Sequence, residues 1–106
     1  MTQEELNTML NRIGIPVRYD HGEKGLKVPF IYYTFERASA LNADNYTYHK
    51  KNVVSISLVT TSKASQNEYA SKLEDLIQEY ELPFGDTSEG WNNDEKIYIL
   101  TYFMEV

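Results

Sequence analysis

The sequence predicts an α+β fold in which a long helix packs across an antiparallel or mixed β-sheet, with the element order α-β-β-β-α-β-β. Residues 69–80 repeat apolar side chains at the three-to-four-residue spacing of one helix face. Residues 95–106 instead have the two-residue period of a β-strand, and apolar side chains lie on both faces of this predicted strand. Since a strand of this kind must be covered on both faces, we expect it to be central in the sheet or part of an interface.

The first element is a short helix with a signal at each end. Thr2 and Glu5 match a capping box, in which each residue satisfies a backbone N–H group of the other. Gly14 supplies the left-handed conformation that ends many helices, and Pro16 prevents the helix from continuing. The apolar stripe that would dock this helix on the sheet is Leu6, Met9, Leu10 and Ile13.

The middle of the chain predicts strands joined by polar segments. Residues 17–28 are polar and contain two glycines, which favours a loop or a loose hairpin. Residues 30–36 alternate and form the first predicted strand, followed by a short strand at 46–49 and a longer one at 53–61. We therefore predict a long, protruding hairpin that includes residues 37–52.

The second helix is the most strongly patterned element. Ser65 and Glu68 match a second capping box, and the apolar stripe is Tyr69, Leu73, Leu76, Ile77 and Tyr80. The opposite face is acidic, with Glu68, Glu74, Asp75 and Glu79. A last hairpin follows, in which residues 84–91 turn at 92–94 into the terminal strand.

Composition limits the class of protein. A chain of 106 residues forms one domain, has no apolar run long enough to span a membrane and does not begin with a secretory leader. The absence of cysteine excludes disulfides and thiolate metal sites. Residues 1–53 carry seven basic and six acidic side chains, a net charge of +1. Residues 54–106 carry three basic and ten acidic side chains, a net charge of −7, so the total of −6 comes from the second half. An acidic domain is a poor ligand for nucleic acid.

The sequence gives little indication of a catalytic site. His21 and His49 are the only bases suited to neutral pH, and neither lies near a nucleophile at a familiar spacing. Acids that are adjacent in the chain, such as Glu74 and Asp75, point in different directions on a helix and cannot face each other. We therefore expect no catalytic residue, no bound cofactor and no metal site.

A resemblance to a known family rests on the motifs just described. It is carried by Pro29-Phe30-Ile31-Tyr32-Tyr33, by Ala43-Asp44-Asn45-Tyr46, by residues 53–61 and 69–80, and by Trp91 ahead of the terminal strand. Over residues 28–106 this pattern resembles the tail-completion, or tail-terminator, proteins of long-tailed phages and of prophages of Gram-positive bacteria. These are head-tail joining, minor capsid proteins, and residues 17–28 have no counterpart in the pattern.

The resemblance implies a structural protein of the virion that is made in the host cytoplasm. Residues 1–106 would form a single tail-terminator-like domain that closes into a ring, with a hexamer as the expected size. The ring would cap the tail tube and provide the surface to which the head is joined. Its partners would be further copies of itself, the tail tube protein and a head-completion or connector protein, with neither a membrane nor a specific nucleic-acid sequence among them.

Two surfaces are candidates for the contacts between subunits. The first pairs the basic spot at Lys50 and Lys51 with acids of a neighbouring molecule, namely Glu74, Asp75 and Glu79. The second is the apolar face of the terminal strand, formed by Tyr98, Leu100 and Tyr102. The alternative function is a host-directed inhibitor that mimics nucleic acid, which the net charge and the acidic second helix favour.

Overall fold

The structure is a computed structural model that describes residues 2–19, 28–37, 52–82 and 84–105. The described elements follow one another as α-β-β-β-α-β-β, but the predicted order differs from the observed one among the first three strands, since the strand at Val17–Tyr19 was not predicted. The elements are α1 (Gln3–Asn11), β1 (Val17–Tyr19), β2 (Phe30–Arg37), β3 (Asn52–Thr60), α2 (Lys63–Glu79), β4 (Phe84–Asn92) and β5 (Ile97–Glu105).

The five strands form one sheet in the order β1-β2-β3-β5-β4. β1 runs parallel to β2, whereas β2 with β3, β3 with β5 and β5 with β4 are antiparallel pairs. The predicted α+β class, with a mixed sheet and one long helix across it, is confirmed. β5 lies between β3 and β4, which agrees with the prediction that the 95–106 strand is central.

The prediction of a loop over residues 17–28 was wrong at its start. Val17–Tyr19 form β1, because Val17 is buried and pairs with Ile31 of β2 while Tyr19 packs its ring against Tyr33. The predicted strand at 46–49 and the tip of the 37–52 hairpin lie outside the described residues. So do His21 and His49, together with Lys50 and Lys51.

The signals at both ends of α1 are confirmed. The Thr2 side chain accepts a hydrogen bond from the Glu5 backbone, and the Glu5 carboxylate accepts one from the Thr2 backbone. Gly14 has a φ of 94°, a conformation that a side chain would strain. The predicted stripe of Leu6, Met9, Leu10 and Ile13 is buried.

α2 begins earlier than the sequence predicted. Its N-cap is Ser62, which has an extended backbone and whose hydroxyl accepts a hydrogen bond from the backbone N–H of Ser65. The prediction of Ser65 as the cap was therefore wrong, since Ser65 and Glu68 already lie inside the helix. The Ser65 N–H is the group that the cap satisfies.

Both helices pack on the same face of the sheet and build one core. Leu73, Leu76 and Ile77 are buried beneath α2, as their spacing predicted. They join the buried side chains of α1 and the inward side chains of β2, β3 and β5, such as Ile31, Ile56 and Tyr102. The opposite face of the sheet has neither helix on it, and this asymmetry determines which surfaces are available to other molecules.

Candidate interaction surface

The face of the sheet away from the helices carries a patch without charge, which we call the open-face patch. Strand register places its side chains in rows across β2, β3 and β5. The rows are Phe30, Val59 and Ile99; Tyr32, Ser57 and Thr101; Thr34, Ser55 and Phe103. Phe103 is 41% exposed, whereas Val59 and Ser57 at the middle of the patch are buried by their neighbours. Sheets that face water usually carry polar and charged side chains there, so this patch is unusually apolar for a solvated face.

Serine and threonine hydroxyls on this face form hydrogen bonds with one another across neighbouring strands. Thr34 and Ser55 hydroxyls lie 2.6 Å apart across β2 and β3, and those of Ser57 and Thr101 lie 2.9 Å apart across β3 and β5. In each pair either oxygen can be the donor. Each serine and threonine hydroxyl of the patch therefore has a hydrogen-bond partner within the chain.

A second exposed cluster lies on the helix side of the sheet, at the edge strand β4. Trp91 is 48% exposed, and its ring lies 4.5 Å from that of Tyr98, measured between ring centroids. The Lys63 ammonium group lies 5.3 Å from the centroid of the Tyr98 ring and 3.6 Å from a carboxylate oxygen of Glu89. Exposed tryptophan and tyrosine are enriched in protein interfaces, and polar groups such as Lys63 and Glu89 are common at an interface rim.

The predicted apolar face of the terminal strand is divided between core and surface. Leu100 is 7% exposed and Tyr102 is 1% exposed, because α2 covers this face of β5. The prediction that these two side chains form a contact surface was therefore wrong, and they belong to the core. Tyr98 alone of the three reaches the surface, beside Trp91.

The three predicted acids of α2 are all exposed, but two of them are used within the chain. Glu74 accepts a hydrogen bond of 2.7 Å from the hydroxyl of Tyr102. Glu79 pairs with Arg12 of α1, and the hydrogen bond from Arg12 holds the pKa of this carboxyl below its usual range. Asp75 has no hydrogen bond or ion pair with another side chain that the structure describes. Lys50 and Lys51, the proposed partners of these acids, lie outside the described residues.

The sequence analysis did not select the open-face patch or Trp91 as an interaction surface. A signal for the patch was present, since the alternation of β5 places Ile97, Ile99, Thr101 and Phe103 on one face. Alternation alone could not tell which of the two apolar faces the helix covers. Trp91 contributed only to the family resemblance, although it is the single tryptophan of the chain.

Tyr102 should make the stability of the protein depend on alkaline pH. Burial, followed by the hydrogen bond to Glu74 and the charge of Glu74, raises the pKa of Tyr102 well above its usual range. Above about pH 10 the hydroxyl ionises in the unfolded chain but stays protonated in the folded one, so the free energy of unfolding falls as the pH rises. Tyr102→Phe should lose this part of the pH dependence.

The measurement is chemical denaturation of both proteins from pH 7 to pH 11. At pH 7 the variant should be less stable by about 1 kcal/mol, for the lost hydrogen bond. Glu74→Gln keeps an acceptor but removes the charge, and it should give an intermediate pH dependence. If the free energy of unfolding fell equally with pH in the parent and in Tyr102→Phe, the pH dependence could not be assigned to Tyr102.

The described residues offer no constellation for catalysis or metal binding. Within them, no group of three or more histidine, aspartate or glutamate side chains could hold a metal ion. The groove beside α1 is wide open, and its lining is Gln3, Glu4, Asn7, Thr8 and Tyr33. Among the described helices, neither has the length and apolar character needed to cross a membrane.

Comparisons of the chain with models of known protein families, with curated proteins and with solved structures found no match.

Proposed function

We propose that this protein is a structural protein of a long-tailed phage or prophage, which closes the end of the tail tube as a ring and provides the surface for head joining. Its partners are other copies of the chain, the tail tube protein and a head-completion or connector protein. It acts in the virion and assembles in the host cytoplasm. The resemblance described above motivates the proposal, and the open-face patch is the observation that carries it.

The patch supports an assembly role because it contains no charged side chain and because its serine and threonine hydroxyls bond one another. Its nine side chains are apolar or hydroxyl-bearing, so covering them removes no charge of the patch itself from water, and Arg18 beside Tyr32 places a charge at its border. The Thr34–Ser55 and Ser57–Thr101 hydroxyl pairs each keep one hydrogen bond when a partner covers the patch, which lowers the cost of removing water from them. Interface cores are likewise depleted in charged residues.

The nucleic-acid mimic has less support from the geometry. A mimic needs an uninterrupted row of free carboxylates, and Glu74 and Glu79 of α2 are engaged with Tyr102 and Arg12. Lys63 and Lys72 place positive charge on the same helix. The acidic surface of α2 is therefore interrupted.

The proposal is tested in a phage that carries this gene. Deletion should abolish plaque formation and leave separate heads and tails in the lysate, and wild-type protein supplied from a plasmid should restore joined particles. Gln78→Cys places a single thiol at an exposed position of α2 in a chain without cysteine, so gold labelling of complemented particles should mark the head-proximal end of the tail.

Two outcomes would contradict the proposal. One is normal joining of heads and tails in the deletion strain. The other is absence of the label from purified particles together with a stable monomer that binds a host protein, which would favour the inhibitor. The mass of the purified protein, measured by light scattering over a range of concentrations, reports whether a ring forms without the tube.

A further inference from the structure

The two edges of the sheet differ in a way that suits head-to-tail contact between copies. β4 is a nine-residue edge strand whose side chains from Asp86 to Trp91 are all exposed. A register shift near Phe84 disturbs its start, but residues 87–92 pair regularly with β5. Their outer edge has no partner strand among the described residues. This stretch contains neither proline nor lysine, two devices that natural proteins use to block an exposed edge.

The opposite edge is β1, and it carries a complementary aromatic group. Tyr19 on β1 is 45% exposed, close to the exposure of Trp91 on β4. Tyr19 packs against Tyr33 and Trp91 against Tyr98, so both rings lie on the helix side of the sheet. The molecule thus presents one half-exposed aromatic ring on the same side of each edge. Aromatic side chains are enriched where protein interfaces derive most of their binding energy.

Strand direction and charge are consistent with joining these edges. β1, β2 and β5 run in one direction, and β3 and β4 run in the other. If neighbouring copies keep the same strand direction, β4 of one meets β1 of the next as an antiparallel pair. β4 belongs to the acidic half of the chain and β1 carries Arg18, so the two edges differ in charge, although Glu89 of β4 lies on the helix side of the sheet beside Lys63 and Arg18 on the opposite face. A heterologous contact needs two unlike, complementary patches of this kind.

We infer that adjacent copies of this chain join β4 to β1, with Trp91 of one copy packed against Tyr19 of the next, so that the sheet continues from subunit to subunit. This inference rests on the proposed ring and names its subunit contact. Backbone hydrogen bonds between the edges supply affinity, and the aromatic contact fixes the register. Arg18 of one copy lies on the same side of the extended sheet as Ser88 and Asn92 of its neighbour.

Cross-linking through introduced cysteines tests the contact directly, because the chain has no cysteine of its own. The test protein carries Arg18→Cys and Gly90→Cys, one at each edge, and is treated with a short bismaleimide. With Trp91 opposite Tyr19, these two positions lie on the same side of the extended sheet and diagonally across the contact, about 7 to 8 Å apart, and a side chain at Gly90 meets open space. Within one chain the two edges are separated by three strands, roughly 19 Å, so a short reagent cannot join them internally. The expected product is a ladder of covalent oligomers that stops at the number of subunits in the ring.

The control proteins show whether the ladder requires both edges. Either single-cysteine protein can form at most a covalent dimer. Arg18→Cys combined with Gln78→Cys, an exposed position on α2, has two thiols but only one at an edge and should give no ladder. Each protein is treated both in concentrated solution and on purified tails.

Intrinsic fluorescence gives a second measurement, since Trp91 is the only tryptophan. Its emission should move to shorter wavelength as copies associate and the ring loses contact with water. Tyr19→Ala should weaken association roughly 30-fold, the equivalent of the about 2 kcal/mol of an aromatic hot spot, and shift the emission change to higher concentration. Gln78→Ala, on the exposed face of α2 and away from both edges, should leave the association unchanged.

The outcomes separate this inference from the proposed function. A ladder of three or more copies that needs both cysteines supports the edge contact. Rings or tail-bound protein that give no ladder in solution or on tails would overturn the edge contact and leave the proposed function standing. A ladder in solution from a protein that is absent from purified particles would overturn the proposed function and leave the edge contact standing.

Discussion

Leu73→Ala is expected to lower the free energy of unfolding by about 2 to 5 kcal/mol. Leu73 has no exposed surface and lies at the middle of the stripe by which α2 contacts the sheet. Shortening it removes apolar contacts and leaves a cavity that rigid neighbours on two helices and a sheet cannot fill. Chemical denaturation followed by circular dichroism measures the change. This is the largest effect that a single substitution on α2 should produce.

Matched substitutions on the same helix separate burial from helix propensity. Leu76→Ala should cost less than Leu73→Ala, because Leu76 lies at the border of the stripe and keeps some exposure. Gln78→Ala, on the exposed face, should change the free energy of unfolding by no more than about 0.5 kcal/mol. If Leu73→Ala and Gln78→Ala had similar effects, α2 could not pack on the sheet as described.

Thr101→Val is expected to destabilise the protein by about 1 to 3 kcal/mol, although it keeps the shape of the side chain. Ser57 is buried, and the hydroxyl of Thr101 is the partner that satisfies it. Valine would leave the Ser57 hydroxyl buried without a hydrogen bond. Adding Ser57→Ala should recover most of the loss, because both polar groups are then absent. The double-mutant cycle measures this coupling.

The second hydroxyl pair is the control for this cycle. Thr34 and Ser55 are only half-buried, so the hydroxyl that remains in Thr34→Val can reach water. Thr34→Val should therefore cost less than Thr101→Val and show a smaller coupling with Ser55→Ala. Equal couplings in the two cycles would contradict the argument from burial.

Local signals predicted the elements well where the chain is strongly patterned. The capping box of Thr2 and Glu5, the stop at Gly14 and the buried stripe of α2 are all confirmed. β1 was missed because three residues are too short for alternation to be visible, and its pairing with β2 is a tertiary contact. The N-cap of α2 was misplaced because Glu68, three residues after Ser65, completes a capping-box pattern that Ser62 lacks, although Ser62 is the residue with the extended backbone of an N-cap.

The candidate surface was harder to predict than the elements. β5 is apolar on both faces, and its sequence does not say which one α2 covers, so Leu100 and Tyr102 were assigned to the surface rather than the core. The acids of α2 were predicted correctly as exposed. The partners of these acids could not be predicted, because the contacts of Glu79 with Arg12 and of Glu74 with Tyr102 join residues far apart in the chain.

The position of β5 has a consequence for the order in which the protein can fold. β5 is the last strand in the chain, yet it lies inside the sheet, where it pairs on one side with β3 and on the other with β4. Until residues 97–105 have been synthesised, β3 has an unpaired edge, β4 has no strand beside it, and α2 has only part of the surface it covers. The contact of Val53 with Glu105 closes a long loop, which slows folding compared with local pairing. The sheet therefore cannot be completed before residues 97–105 are available, and a nascent chain that stalls before β5 would expose β-strand edges to aggregation.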